Sequence, residues 1–151
     1  IIYQILEIIE MEGKTSFPSW GESYREDSEI SLFTRDDSSG TSRFIQLMAM
    51  NGSCTIAFVC TKIDDTESRH TTVINHEEYQ SAWEPLILKG IDELKTVYIF
   101  PQQEKSYLIT LRYGSTVKKV AGMGPIVQAD LKRCVDRLLE IAVNYFPNLD
   151  C

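Results

Sequence analysis

The chain has 151 residues, 43% of them hydrophobic and 25% charged, with a formal net charge of −7. A chain of this length can build one hydrophobic core unaided, and no apolar run approaches the ~20 residues of a bilayer span, which argues against membrane insertion. The acidity also argues against nucleic acid as a partner, because that affinity comes mainly from Lys and Arg replacing counterions on phosphates. The charge is unevenly spread: positions 1–100 hold 8 bases and 17 acids, whereas positions 101–151 hold 7 bases and 5 acids. An anion-seeking surface is therefore expected in the last third.

The chain begins at Ile1, and Glu7 and Glu10 interrupt its first apolar stretch too early for a secretion signal. The expectation is a single domain, a fragment of a longer intracellular protein, cytoplasmic or nuclear. From Ile1 to Glu12, Ile1, Ile5 and Ile8 and then Ile2, Leu6 and Ile9 fill two adjoining helical rows. So wide an apolar surface is either buried in the domain or the end of a longer pairing helix, and the second alternative predicts a homodimer. Lys14 to Asp27 shows neither helical nor strand periodicity and reads as a loop anchored by Trp20 and Tyr24.

Ile30 to Arg35 reads as a strand, followed by the turn Asp36-Asp37-Ser38-Ser39-Gly40, whose side chains can bond their own backbone. This turn lacks the alternating ligands of an EF-hand loop, since Arg35 takes one of those places. Asn51-Gly52 between two apolar runs is a hairpin signal, because a type I′ turn needs positive φ at both central residues. In that register Ile45, Leu47 and Ala49 oppose Phe58, Ile56 and Cys54 on a uniformly apolar face. The other face carries Phe44, Gln46, Met48 and Met50, half apolar and open to a helix or a partner.

Asp64 to His70 reads as a polar turn, Thr71 to Ile74 as a short strand, and Asn75 with Glu78 as a helix start. Pro85 cannot donate its backbone bond, so the helix is expected in two pieces, His76 to Trp83 and Pro85 to Leu94. Thr96 to Phe100, Ser106 to Tyr113 and Thr116 to Ala121 suggest a three-strand meander. Pro125 to Phe146 carries a broad apolar stripe from Val127 to Tyr145 and reads as a long helix.

No arrangement of chemistry-bearing residues is compelling. Cys54 and Cys60 stand six residues apart on one strand, roughly 20 Å at 3.3 Å per residue, too far to share a metal or a disulfide. Neither His70 nor His76 belongs to a nucleophile signature, and no Walker, dinucleotide or Gly-x-Ser-x-Gly motif is present. The strongest ligand candidate is Gly122-Met123-Gly124-Pro125 running into the last helix, where Gly122 and Gly124 with Lys118 and Lys119 could receive a phosphate or carboxylate. The simpler reading is a strand-to-helix turn opened by glycine and closed by proline.

The expected fold is α+β: an antiparallel sheet of about six strands with an N-terminal helix, a middle kinked helix and a long C-terminal helix packed on it. The expected role is non-catalytic: a protein-interaction or adaptor domain contacting its partner through Ile1, Ile2, Ile5, Phe44, Met48 and Met50, with dimerisation through the first helix. An anion- or nucleotide-binding regulatory domain is the alternative, and an enzyme with a composite site a third. No cofactor or metal is implied.

Overall fold

Alternation of apolar and polar residues builds a sheet from most of the chain between Ser28 and Met123. The computed structural model describes residues 27–87, 91, 94–99 and 103–148. Its elements are β1 (Ser28–Asp36), β2 (Thr41–Met50), β3 (Ser53–Thr61), β4 (Glu67–Ile74), helix α1 (His76–Ile87), β5 (Val97–Ile99), β6 (Lys105–Tyr113), β7 (Thr116–Met123) and helix α2 (Ala129–Tyr145). The strands form one seven-stranded sheet in the order β4-β3-β2-β1-β6-β7-β5.

The central hairpin pairs as its turn dictates. Asn51 and Gly52 take φ of 52° and 78°, Met50 faces Ser53, and Ile45, Leu47 and Ala49 face Phe58, Ile56 and Cys54. Strand alternation then carries the apolar face across β1 and β6, where Ile30 faces both Leu47 and Leu111, and Leu32 faces both Ile45 and Ile109. Both helices pack on this side and share one continuous core with it. Trp83 and Tyr79 of α1 and Leu131, Cys134, Leu138 and Ile141 of α2 are fully buried.

Three features depart from the expected architecture. The sheet is mixed and seven-stranded, and the described residues hold two helices, not three. The expected helix over Ile1 to Glu12 lies outside the described residues. The last three strands are not a meander: β7 inserts between β6 and β5, and β5 runs parallel to it, with Val97 facing Ala121 and Ile99 facing Met123. The reason is non-local. The long, regular β6 pairs along the whole of β1, from Ser28 with Tyr113 to Asp36 with Lys105, leaving its other side for β7 and the three-residue β5 to cap the far edge.

Pro85 lies within one helix, His76–Ile87, and does not divide it. It sits two residues from the helix end, where a missing N–H disturbs few later bonds. The turn expected at Asp64 to His70 is shorter, since β4 begins at Glu67. Asn75 does cap α1, its Oδ1 accepting from the Glu78 N–H at 2.8 Å. The Glu78 carboxylate turns away and accepts from the Tyr145 hydroxyl of α2. Nearby, Arg137 Nε donates to Ser81 Oγ at 2.7 Å, so the two helices are joined by polar contacts beside their shared core.

Candidate ligand-binding site

The helix-covered face of the sheet changes character along its length. Rows through Ile30 and Leu32 are aliphatic, whereas the next row outward is Arg43, Thr34 and Tyr107, and the one beyond is Thr41, Asp36 and Lys105. Helix α2 stands over these polar rows with a different stripe, Lys132, Val135, Asp136 and Leu139, spaced so that all four share one side of the helix. The loop Gly124 to Ile126 closes one flank, and the β3–β4 turn with Lys62 and Ile63 closes the other. Between them lies an open cleft of about 780 Å³, within the ~300–1,000 Å³ typical of ligand sites.

The cleft has an aliphatic interior and a cationic rim. Leu32, Ile45, Ile126, Val135 and Leu139 line it together with the bases Arg43, Lys62, Lys105 and Lys132 and the acids Asp36 and Asp136. Arg35 also borders it, but alternates to the other side of β1, and its Nε donates to Asp37 Oδ1 at 2.9 Å. Both acids are engaged. Asp136 Oδ2 accepts from Lys132 Nζ at 2.8 Å. Asp36 Oδ1 accepts from the Ser38 backbone N–H at 3.0 Å and from the Ser38 hydroxyl. The Ser38 hydroxyl bond is the main reason the Asp36 carboxyl titrates below its usual range, helped by Lys105. Asp36 is therefore a carboxylate at neutral pH, already occupied within its own turn.

Tyr107 forms part of the wall and is 4% exposed, and its hydroxyl has no hydrogen-bond partner among the described residues. Burial pushes its ionisation upward, with Tyr98 adding to the effect. Its ring lies across Gly122, where a Cβ would overlap it. Gly122 is thus a packing glycine beneath a tyrosine, with no open space above it.

The residues singled out in the sequence are only partly brought together. Lys118 faces Leu111 and Lys119 faces Thr110 on the neighbouring strand, so the two lysines point to opposite sides of the sheet. Gly124 takes φ of 87°, and its N–H donates to the Lys105 carbonyl at 2.8 Å. Pro125 does not open the helix: α2 starts at Ala129, capped by Gln128, whose side chain accepts from the Leu131 N–H. Gly124 and Pro125 share the lining of the cleft with Lys105 and Lys132, not with Lys118 and Lys119. Alternation outward from Ile45 to Arg43 and Thr41 was the signal available for the polar end of this face.

Phe44 and Met48 lie half-buried and Met50 exposed on the opposite face of the sheet, away from both helices. There Phe44 faces Val59 and Phe33, and Phe33 faces Leu108, giving an apolar row across four strands. The adjoining rows are polar, with Arg112 Nε 3.1 Å from Glu29 Oε1 and Gln46 Nε2 donating to the other oxygen of Glu29. Ile1, Ile2 and Ile5 lie outside the described residues.

No described Cys or His lines the cleft, although Cys60 faces the cleft residue Arg43 across the β2–β3 pair. Cys54 and Cys134 are buried free thiols, and burial raises both, Cys134 to about 12, so neither is a thiolate nucleophile at neutral pH. Cys60 is disulfide-bonded. His76 Nε2 meets the Gly52 carbonyl at 2.8 Å, and His70 packs near the Phe146 ring at 5.6 Å between centroids. Among the described residues no three His, Cys, Asp or Glu side chains are grouped as a metal site. No helix among them is long and apolar enough to cross a membrane.

No family model matches the chain, and no curated protein matches it. Among solved structures it is similar to the PH1819 protein from Pyrococcus horikoshii OT3, with 13% identity, 94% of this chain and 84% of that chain covered, and a TM-score of 0.22. At that distance the site has to be read from its own residues.

Proposed function

We propose that this chain is a non-catalytic binding domain that takes a small, negatively charged organic molecule into the cleft between α2 and the β1–β2–β6 end of the sheet. The observation that carries this reading is the four-to-two excess of basic over acidic side chains among the described residues around an aliphatic cavity, Arg43, Lys62, Lys105 and Lys132 against Asp36 and Asp136, in a chain whose net charge is −7. Such a local reversal of charge concentrates anions, and the apolar walls supply affinity once solvent is displaced. Among the described residues the cleft lining contains neither His nor Cys, and its two carboxylates there, Asp136 and Asp36, are committed to Lys132 and Ser38. It therefore offers groups that bind and none placed as a nucleophile with its base.

Thermal denaturation in the presence of anionic metabolites and their neutral analogues tests the reading. A ligand at one hundred times its Kd stabilises by about 2.7 kcal/mol, so an upward shift in Tm is expected with anionic members. The shift should vanish in Lys105→Glu and Lys132→Glu. The absence of a shift across the panel would remove the proposal.

A second reading rests on the opposite face, where the row from Val59 through Phe44 and Phe33 to Leu108 could meet a protein partner, including a second copy of this chain. Light scattering should then show a dimer that Met48→Glu with Met50→Glu converts to a monomer. A strictly monomeric wild-type chain would leave no support for self-association. The cytoplasmic or nuclear placement expected from the sequence also remains a proposal, and the disulfide at Cys60 weighs against it, because thiols in those compartments are kept reduced. Thiol counting on the denatured, unreduced protein decides that point.

A further inference from the structure

Resting on the cleft reading above, we infer that the ligand is a single-chain anionic amphiphile, held with its hydrocarbon tail against the sheet and its carboxylate or phosphate head at the outer rim. The argument is the order of the rows. Leu32 and Ile45 lie on the core side of the cleft, and the charges appear only one and two rows further out, at Arg43 and Lys105. Across from them, α2 places Val135 and Leu139 on the same side as Lys132. Tail and head are thus offered separate zones of one cavity.

A nucleotide fits this arrangement less well. Its base needs aromatic faces to stack on or a set of fixed donors and acceptors for its edge. Among the described residues Tyr107 is the aromatic of the lining, and its ring already lies on Gly122; the hydroxyls of Thr34 and Thr41 sit in the outer rows with the charges. A flexible hydrocarbon chain asks only for apolar surface. Leu139, an apolar residue 39% exposed at the cleft, gains cover when such a chain is bound. Tyr107 shares the row of Arg43 and walls the cleft there, its hydroxyl lying over Gly122 with no hydrogen-bond partner among the described residues.

Calorimetric titration of the 151-residue chain with octanoate, decanoate and dodecanoate, with the matching alkyl phosphates, with inorganic phosphate and with nucleoside monophosphates tests the inference. Affinity is expected to rise about threefold to fourfold per added methylene, as hydrocarbon burial dictates. The carboxylate and phosphate series compared at equal length identify the head group. Arg43→Gln with Lys105→Gln should weaken binding about tenfold without changing the chain-length dependence. Leu139→Asp, at a partly exposed site that tolerates polarity, should flatten that dependence.

Tight binding of nucleoside monophosphates with none of the amphiphiles would overturn the amphiphile assignment while leaving the anion-binding role intact. Equal affinity for inorganic phosphate and every chain length would overturn it in the same way. Silence from every probe removes both. Unchanged binding in all of these variants would place any observed ligand elsewhere on the molecule and overturn the assignment to this cleft.

Discussion

At one end of the helix-covered sheet face, Ile30, Leu47, Ala49, Ile56 and Leu111 are sealed beneath Tyr79 and Trp83 of α1 and the middle of α2, each of these side chains fully buried. At the other end of the same face, Thr34, Arg43 and Tyr107 take the equivalent positions, α1 contributes nothing to the lining, and a cavity of about 780 Å³ remains. Strands, register and α2 are common to both ends. What differs is the side chain presented inward and the length of helix available to cover it. Stability is thus concentrated at the sealed end, which leaves the open end free to vary its charges.

The contrast is most directly broken by truncation. Trp83→Ala should cost about 3–5 kcal/mol through lost contacts and a residual cavity, whereas Leu139→Ala at the open end should cost under about 1 kcal/mol. Urea denaturation of both variants makes the comparison, and equal losses would mean that the cleft is not a separate region of low packing.

Alkaline titration comes next in size. Burial, only partly offset by bonds from Ser28 and Trp83, pushes the Tyr79 phenol from 10.0 to about 12. Burial likewise takes the Cys134 thiol from 9.0 to about 12. Both groups keep their protons in the fold at pH values where the unfolded chain has released them. Their contribution is therefore complete below about pH 9 and is lost as pH rises toward 12, at about 1.4 kcal/mol per pH unit for each group. Cys134→Ala should move the onset up toward pH 10, and a flat stability between pH 8 and 11 would show that the sealed end admits water.

Gly122→Ala probes the boundary between the two ends. Its Cβ would overlap the Tyr107 ring, so a loss of about 1–3 kcal/mol is expected from overpacking. A double variant that also replaces Tyr107 with Leu should recover part of it. The smallest effect belongs to Tyr107→Phe, which removes a buried hydroxyl that has no hydrogen-bond partner among the described residues; stability should change by no more than about 0.5–1 kcal/mol and in the favourable direction. A clear loss would reveal a bond to that oxygen in solution.

Much of the sealed end was legible beforehand. Asn51-Gly52 specifies both a turn and a pairing, and from that register Ile45, Leu47, Ala49, Cys54, Ile56 and Phe58 follow as one buried face. The stripe of α2 was equally plain, except that its start lies at Ala129, not Pro125, because Gln128 supplies the cap. The open end was not legible. Lys118 and Lys119 are adjacent in sequence and near two glycines, yet a strand sends neighbours to opposite faces. Lys105 and Lys132, twenty-seven positions apart, meet at one cavity because β6 pairs with β1 and α2 returns across the same face.

Local chemistry, then, was enough to set the hairpin, the cap at Asn75 and the apolar stripe of the last helix, since each depends on residues within a few positions of one another, whereas the disulfide at Cys60 was not legible there. The choice of β6 as the neighbour of β1, the insertion of β7 ahead of β5, and the gathering of Arg43, Lys62, Lys105 and Lys132 around an aliphatic hollow were decided only by tertiary structure. They turn on which open strand edge and which half-covered face compete best for distant partners, and that competition is settled between segments that no local pattern relates.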